Sequence, residues 1–403
     1  MKEYLNIGLL LIVAVLLLPL GAIAQQDSTT VAKPKNWQLH GYVKYLPSVN
    51  FVPPPQGSMI QNNLIHNRFN FEWYPNEHWT FKASLRTRLF FGEQVKLVPN
   101  YGDLIKQSSL VSNGYDDPLS WILLDEKAAI LHSTLDRLSL QYSNGKWDIT
   151  LGRQRINWGI NTIWNPNDIF NTYSFTDFDY EERPGSDALR IQYYTGVTSS
   201  IEFAAKAFTK WEDATAAFLW KTNKWNYDFQ LLGGVAQQDI IVGGGWAGSL
   251  GLVGFKGEVS YFYNYRQGLT SNQRHSVTAT MAWDYLFPNR IYFSAGLLYN
   301  SNGNVQGSIT QLFGSQPTAK NLYPYRYAVS LSASYPFTEK INAGVTAVYS
   351  PGESHAVFLS PNFSYLINEA WDIAFISQLV FNAENGYYTS PSQSFFLRIR
   401  LSF

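Results

Sequence analysis

From residue 37 to the end, the chain reads as short segments in which apolar and polar side chains alternate with period two. That is the signature of extended strands with two unlike faces. Segment 79–91 shows it cleanly: Trp79, Phe81, Ala83, Leu85 and Leu89 fall on one face, Lys82, Ser84, Arg86 and Arg88 on the other. The last ten residues repeat it, with Phe395, Leu397, Ile399, Leu401 and Phe403 opposite Phe396, Arg398, Arg400 and Ser402. The same pattern predicts strands over 37–45, 65–74, 79–91, 132–142, 147–157, 187–195, 199–208, 213–221 and 225–235. It continues over 240–250, 255–265, 276–286, 291–300, 326–336, 341–350, 357–366, 371–381 and 394–403. These are about 18 strands of roughly 9–12 residues, the length that crosses a bilayer at a tilt.

The connections alternate as well. Short turns fall at 75–78, 143–146, 196–198, 222–224, 252–254, 288–290, 337–340 and 367–370. Between them lie longer loops at 46–64, 92–131, 158–186, 266–275, 301–325 and 382–393, although the connections near Thr209, Gln237 and Pro351 are short too. Aromatic residues gather at the short turns: Trp73, Trp79, Trp147, Trp220, Trp225, Tyr285, Tyr335, Tyr365 and Trp371. A ring of Trp and Tyr at one level suits a membrane interface, where the ring is buried and its polar edge meets headgroups. The expected fold is all-β: a transmembrane antiparallel β-barrel of the outer membrane with short periplasmic turns and long extracellular loops.

Composition agrees. The chain is 16% aromatic and 15% charged and contains no cysteine, whereas an ordinary soluble domain is about a quarter charged. In a barrel the lipid-facing and water-facing halves of each strand cancel in such averages. Lacking cysteine, the chain forms neither disulfides nor thiolate metal sites and carries no lipoprotein anchor. Residues 1–24, with Lys2, an apolar run over 7–20 and Ala22-Ile23-Ala24, have the layout of a cleaved signal peptide for the Sec route. Residues 25–36 are then a short periplasmic segment and 37–403 the barrel. A plug domain of the kind that energy-coupled transporters carry has no room before the first strand.

With the apolar face assigned to lipid, the lumen receives Lys44, Arg68, Lys82, Arg86, Arg88, Arg137, Arg190, Lys206, Lys256, Arg326, Arg398 and Arg400. The acids in phase are Glu72, Glu202, Asp228, Glu258, Asp284 and Asp372. The inner wall is therefore expected to be basic although the chain is neutral, and a basic wall concentrates anions. The aromatic-rich segment 158–186 is too apolar to trail in water and is expected to fold into the lumen as a constriction. Arg153 and Arg155 break the alternation, so a bulge at Gly152 is expected to turn them inward, with Asp168, Glu181 and Glu182 as the nearest carboxylates. The Gly243-Gly244-Gly245 run reads as a kink in a strand.

Two resemblances follow from these residues. Gly152-Arg153-Gln154, Asn157-Trp158-Gly159, Asn165-Pro166-Asn167-Asp168 and Arg183-Pro184-Gly185-Ser186-Asp187-Ala188 resemble a family of Gram-negative outer-membrane barrels marked by the order GRQ, WG, NPxD, RPGxDA. The GRQ element and strand count are also similar to the alginate-export porins, which implies a basic lumen that passes acidic polysaccharide. The C-terminal strand ending on Phe403 resembles the strand that barrel-assembly machinery reads. The expected function is an outer-membrane pore with a basic lumen for passive diffusion or export of small or acidic solutes, anionic saccharides among them, surrounded by lipid and lipopolysaccharide. Arg86, Arg88, Arg137, Arg153, Arg155 and Arg190 would line it; Trp158, Asn165, Asp168, Glu181, Glu182 and Arg183 would shape the constriction loop. The alternative is a non-conducting barrel whose outer loops dock a partner or a polysaccharide. An enzyme is not expected, because the six histidines show no pairing with a nucleophile. No cofactor, metal or nucleic-acid motif is present in the sequence.

Overall fold

The computed structural model describes residues 35–52, 57–107, 117–177, 183, 185–208, 210–305, 317–384 and 386–403. The alternating segments become β1 (Trp37–Val52), β2 (Ser58–Trp73), β3 (Trp79–Gly92), β4 (Ser120–Glu126), β5 (Ala129–Asn144) and β6 (Trp147–Gln154). Next come β7 (Ser186–Tyr194), β8 (Ser200–Lys206), β9 (Thr215–Lys224), β10 (Tyr227–Ala236), β11 (Asp239–Leu250) and β12 (Val253–Asn264). The chain closes with β13 (His275–Leu286), β14 (Tyr292–Asn300), β15 (Tyr327–Pro336), β16 (Ile341–Ser350), β17 (Ala356–Leu366), β18 (Trp371–Glu384) and β19 (Tyr387–Ser402).

Every neighbouring pair is antiparallel, and β1 pairs with both β2 and β19, so the sheet closes on itself. Backbone bonds between Gly41 and Phe403 complete the seam, 2.8 Å and 3.0 Å long. Eighteen strands go round this closed barrel. The remaining one, β4, is a short rim strand that alternation did not reveal. It pairs with residues 129–134 of β5, along the edge that β6 abandons when the chain turns away after Gln154.

Three further boundaries differ from the expectation. Segments 46–52 and 58–64 extend β1 and β2 as a paired hairpin, and β19 begins at Tyr387 rather than 394. Polar and proline residues hid these extensions: once a strand rises past the apolar belt, neither face needs to be hydrophobic, and the alternation fades.

Faces sort as the pattern dictates. Leu39, Leu85, Leu140, Leu151, Phe218 and Leu231 stand exposed on the outer surface, while Lys44, Arg68, Arg86, Glu202 and Glu258 are buried on the inner one. Part of the inner wall is nevertheless apolar. Ala188, Ala204, Leu219, Leu232, Ile241 and Phe262 form one inward patch on β7–β12. Leu298, Ala328, Val348, Phe358 and Val380 form another on β14–β18. These patches make a dry seat for whatever folds into the barrel.

Candidate functional site

The segment after β6 takes that seat. Trp158 and Phe170 pack edge to face at 4.9 Å on the first patch. Trp164 and Phe175 pack on the second, together with Tyr323 from the 317–325 segment, which also folds inward. Fully burying each of these large side chains contributes about 1.5–3 kcal/mol, so the loop is held mainly by its own aromatics.

Polar contacts then fix its register. Glu258 of β12 accepts backbone N–H groups from Ile160 at 2.5 Å, Asn161 at 2.7 Å and Asn167 at 3.0 Å. Glu202 of β8 accepts the Trp158 indole N–H at 2.6 Å and a two-point contact from Arg190 at 2.8 and 2.9 Å. Asn167 is wholly buried; its amide donates to the Gly244 carbonyl at 3.0 Å and accepts from Ser260 at 2.7 Å. Asn165 is buried with its side chain against Gly159, and its carbonyl closes the turn to the Asp168 N–H at 3.1 Å. Thr176 reaches β18, where Gln378 donates to its carbonyl at 2.5 Å. The loop thus crosses the lumen from β6 to β18 and returns to β7.

The glycines of β11 have a different role from a kink. They pair regularly with β10 and β12. A Cβ on Gly243 would meet the Asn167 side chain at 2.8 Å, and one on Gly245 would meet Ile160 at 2.9 Å. They are bare because the Asn165–Asp168 turn lies directly on them.

The six arginines separate into four situations, of which Arg190, held by Glu202, is one. Arg86 and Arg88 stand on β3 in adjacent inner rows. Cross-strand register places Arg68 beside Arg86, and Lys44, His66, Arg88 and His132 in one row across β1, β2, β3 and β5. Both arginines are buried. Over the loop end of this strip lie two short helices, Glu93–Leu97 and Tyr101–Gln107, whose Val95 and Ile105 pack on Ile130. Arg137 joins the strip through a bulge in β5: Ser84 pairs with Arg137 and Leu85 with Leu135, which leaves Asp136 over. Asp136 turns inward and binds Arg68 at 2.5 Å and Arg137 at 3.1 Å.

Arg153 is different. Gly152 adopts φ +112°, open to glycine at little cost, and Arg153 turns into the junction of β4, β6 and β7. There it grips Asp117 at 2.6 and 2.9 Å and Asp187 at 2.7 Å at both contacts. The expected partners were Asp168, Glu181 and Glu182; for Arg153 the structure supplies Asp117 and Asp187 instead, because the rim strand brings residue 117 to the gap. Glu181 and Glu182 lie outside the described residues.

Arg155 is the exposed member of the six. It shares an electrostatic neighbourhood with Asp168, Tyr173 and Arg183 on the loop. Asp168 is fully enclosed, with the Trp158 and Asn171 amides directed at it without closing full hydrogen bonds. Burial pushes its carboxyl up to about 6, against the pull of Arg155 and Arg183. Burial likewise lowers the Arg183 guanidinium and raises the Tyr173 phenol.

Sequence reasoning missed Asp117, Asp136, His66 and His132. A bulge and a rim strand leave no periodic trace, and histidine was not counted among the inward charges. Among the described residues no cluster of His, Asp or Glu could hold a metal ion.

Comparison with known proteins supports the architecture. The barrel superposes on OccAB4 of Acinetobacter baumannii with a TM-score of 0.58, covering 92% of this chain and 100% of that one at 8% identity. It superposes on OpdQ of Pseudomonas aeruginosa with a TM-score of 0.57, covering 92% and 99% at 7% identity. The chain therefore has the fold of outer-membrane porins. No family model matches it, and no curated protein matches it in sequence.

Proposed function

We propose that the protein is an outer-membrane pore that passes small anionic solutes between a basic wall and a folded-in loop. The observation that carries this reading is the register of β1, β2, β3 and β5. It stacks Lys44, Arg68, Arg86, Arg88 and Arg137 on adjacent inward positions, with Asp136 bonded to Arg68 and Arg137. Such a strip raises local anion concentration and lowers the barrier to passage, while multiple weak contacts allow release. Arg155 and Arg183 add cationic groups on the loop, and Arg190, tied to Glu202, serves mainly to anchor Trp158. In this reading residues 1–24 are removed after export through the Sec route. Phe403 addresses the assembly machinery, and the outer apolar band meets lipid and lipopolysaccharide. No chemistry on the solute is involved.

The test is reversal potential in a planar bilayer under a salt gradient. Wild type should prefer anions, and Arg86→Glu with Arg88→Glu should shift the preference towards cations. Arg155→Glu, at an exposed site that folding tolerates, should shift it in the same direction by a smaller amount. Unchanged selectivity in both would overturn the assignment. The burial of Arg86 and Arg88 favours a second reading, a closed barrel whose outer loops dock a partner or polysaccharide; absence of current at every voltage would select it.

A further inference from the structure

Two strands away from the basic strip, across β18 and β19, a sector of the wall is uncharged. Four consecutive strands, β14 to β17, contain no Asp, Glu, Lys or Arg. Where the folded loop covers them their inward residues are apolar, as with Leu298, Ala328 and Phe358. Nearer the short turns, one rung from Phe358 and two from Leu298 and Ala328, the inward positions become hydroxyls. Ser294 pairs with Ser332, Ser332 with Thr346, and Thr346 with Ser360, one unbroken row across four strands. Neighbouring strands lie about 4.8 Å apart, so the row presents hydroxyls at regular intervals. Within it, Ser332 and Thr346 bond each other at 3.0 Å.

This row borders a cavity of about 560 Å³ roofed by Tyr173, Phe175 and Arg183 from the loop, with Arg398 of β19 on its flank. Arg398 bonds Asp372 at 3.0 Å, and both Arg183 and Arg398 reach the cavity lining. The volume is in the range of small-molecule sites, about 300–1,000 Å³. One cavity thus offers two guanidinium groups together with a neutral row, each of whose hydroxyls both donates and accepts.

We infer that this cavity is a selecting subsite for polyhydroxylated carboxylates, that is, sugar acids. The carboxylate meets Arg183 and Arg398, and the solute hydroxyls exchange water for the Ser294–Ser332–Thr346–Ser360 row. Each such exchange is nearly neutral in free energy for a solute that matches it, whereas a plain alkyl chain leaves the row's hydrogen bonds unreplaced. A charged group on this wall would retain the solute; hydroxyls hold it weakly at several points, as passage requires.

The inference rests on the pore reading for its purpose, and the two are separable by experiment. Calorimetric titration of the detergent-solubilised protein with gluconate, hexanoate and glucose tests the subsite; bilayer current tests the pore. Gluconate should bind at least several-fold more tightly than either control. Ser332→Ala with Thr346→Val, nearly isosteric and harmless to the barrel, should erase that advantage, and Arg183→Gln should reduce gluconate affinity towards that of glucose. Equal binding of gluconate and hexanoate, or of gluconate and glucose, overturns the subsite, as does a gluconate preference that survives Ser332→Ala with Thr346→Val. Selective binding without current upholds the subsite and removes the pore reading alone.

Discussion

At the scale of single residues, the buried charges here are mostly fasteners. Arg153, 3% exposed, ties the lead-in to β4 to the end of β6 and the start of β7, two strands that also pair in the sheet. Removing it takes the guanidinium away from Asp117, whose side chain is completely enclosed, so Arg153→Met should destabilise the barrel by about 3–5 kcal/mol. A shift of the denaturant midpoint in detergent checks this; a change within error would mean that the junction is held by backbone pairing alone. Asp168 is the opposite case, a carboxyl burial makes reluctant to ionise. Its ordinary value is 3.8 and its docked value about 6. Between those values the docked loop holds more protons than the released loop, so docking weakens as pH rises through that window and is constant above it. The total loss is at most about 3 kcal/mol. Protease cleavage of the loop should therefore be slower at pH 4 than at pH 7 once the protease's own pH profile is subtracted, and Asp168→Asn should reduce the difference, the remainder belonging to Glu258, the other buried carboxyl that holds the loop.

At the scale of elements, the inserted loop and the wall are matched surfaces. β11 gives up two inward side chains, at Gly243 and Gly245, so that the Asn165–Asp168 turn can lie against backbone, and Glu258 on β12 collects its N–H groups. A methyl group at Gly243 meets the Asn167 amide and the Ser260 hydroxyl, which are bonded to each other, and the Leu232 side chain, all of them side-chain atoms rather than backbone. Gly243→Ala should thus loosen the turn without breaking the strand, seen as faster proteolysis near residue 160 with unchanged β content by circular dichroism. The strands themselves were legible because lipid on one side and water on the other enforce period two. Arg86, Arg88 and Arg190 were correctly given the inner face for the same reason. What could not be read was any feature that departs from that period. The Asp136 bulge shifts the phase by one residue within β5, and β4 is a rim strand with nothing to alternate against. The choice of Asp117 for Arg153 spans 36 positions and depends on both. Glu202 and Glu258 were placed on the right face, but their role as captors of the loop depends on where that loop lies.

At the scale of the whole molecule, the lumen is divided by sector. β1–β6 carry the buried cations, β7–β12 and the loop-covered parts of β14–β18 are greased for docking, and the open part of β14–β17 is neutral and hydroxylated. A barrel that only needed a wet interior would spread polar residues evenly; apolar patches on the inner wall make sense only if segments are permanently folded against them. This division gives a deletion experiment two readouts that must move together. Excising residues 160–177 removes Phe170 from the patch of Leu219, Ile241 and Phe262, and Trp164 and Phe175 from that of Phe358. If the segment is the constriction, single-channel conductance should rise several-fold, because the narrowest cross-section is lost. The uncovered patches should at the same time bind an environment-sensitive apolar dye that the intact protein excludes, since exposed contiguous apolar surface of this size attracts such ligands. Dye binding without a conductance change would place the narrowing elsewhere, at the Glu93–Leu97 and Tyr101–Gln107 helices over the basic strip. Neither change would mean that the loop does not occupy the lumen in the membrane.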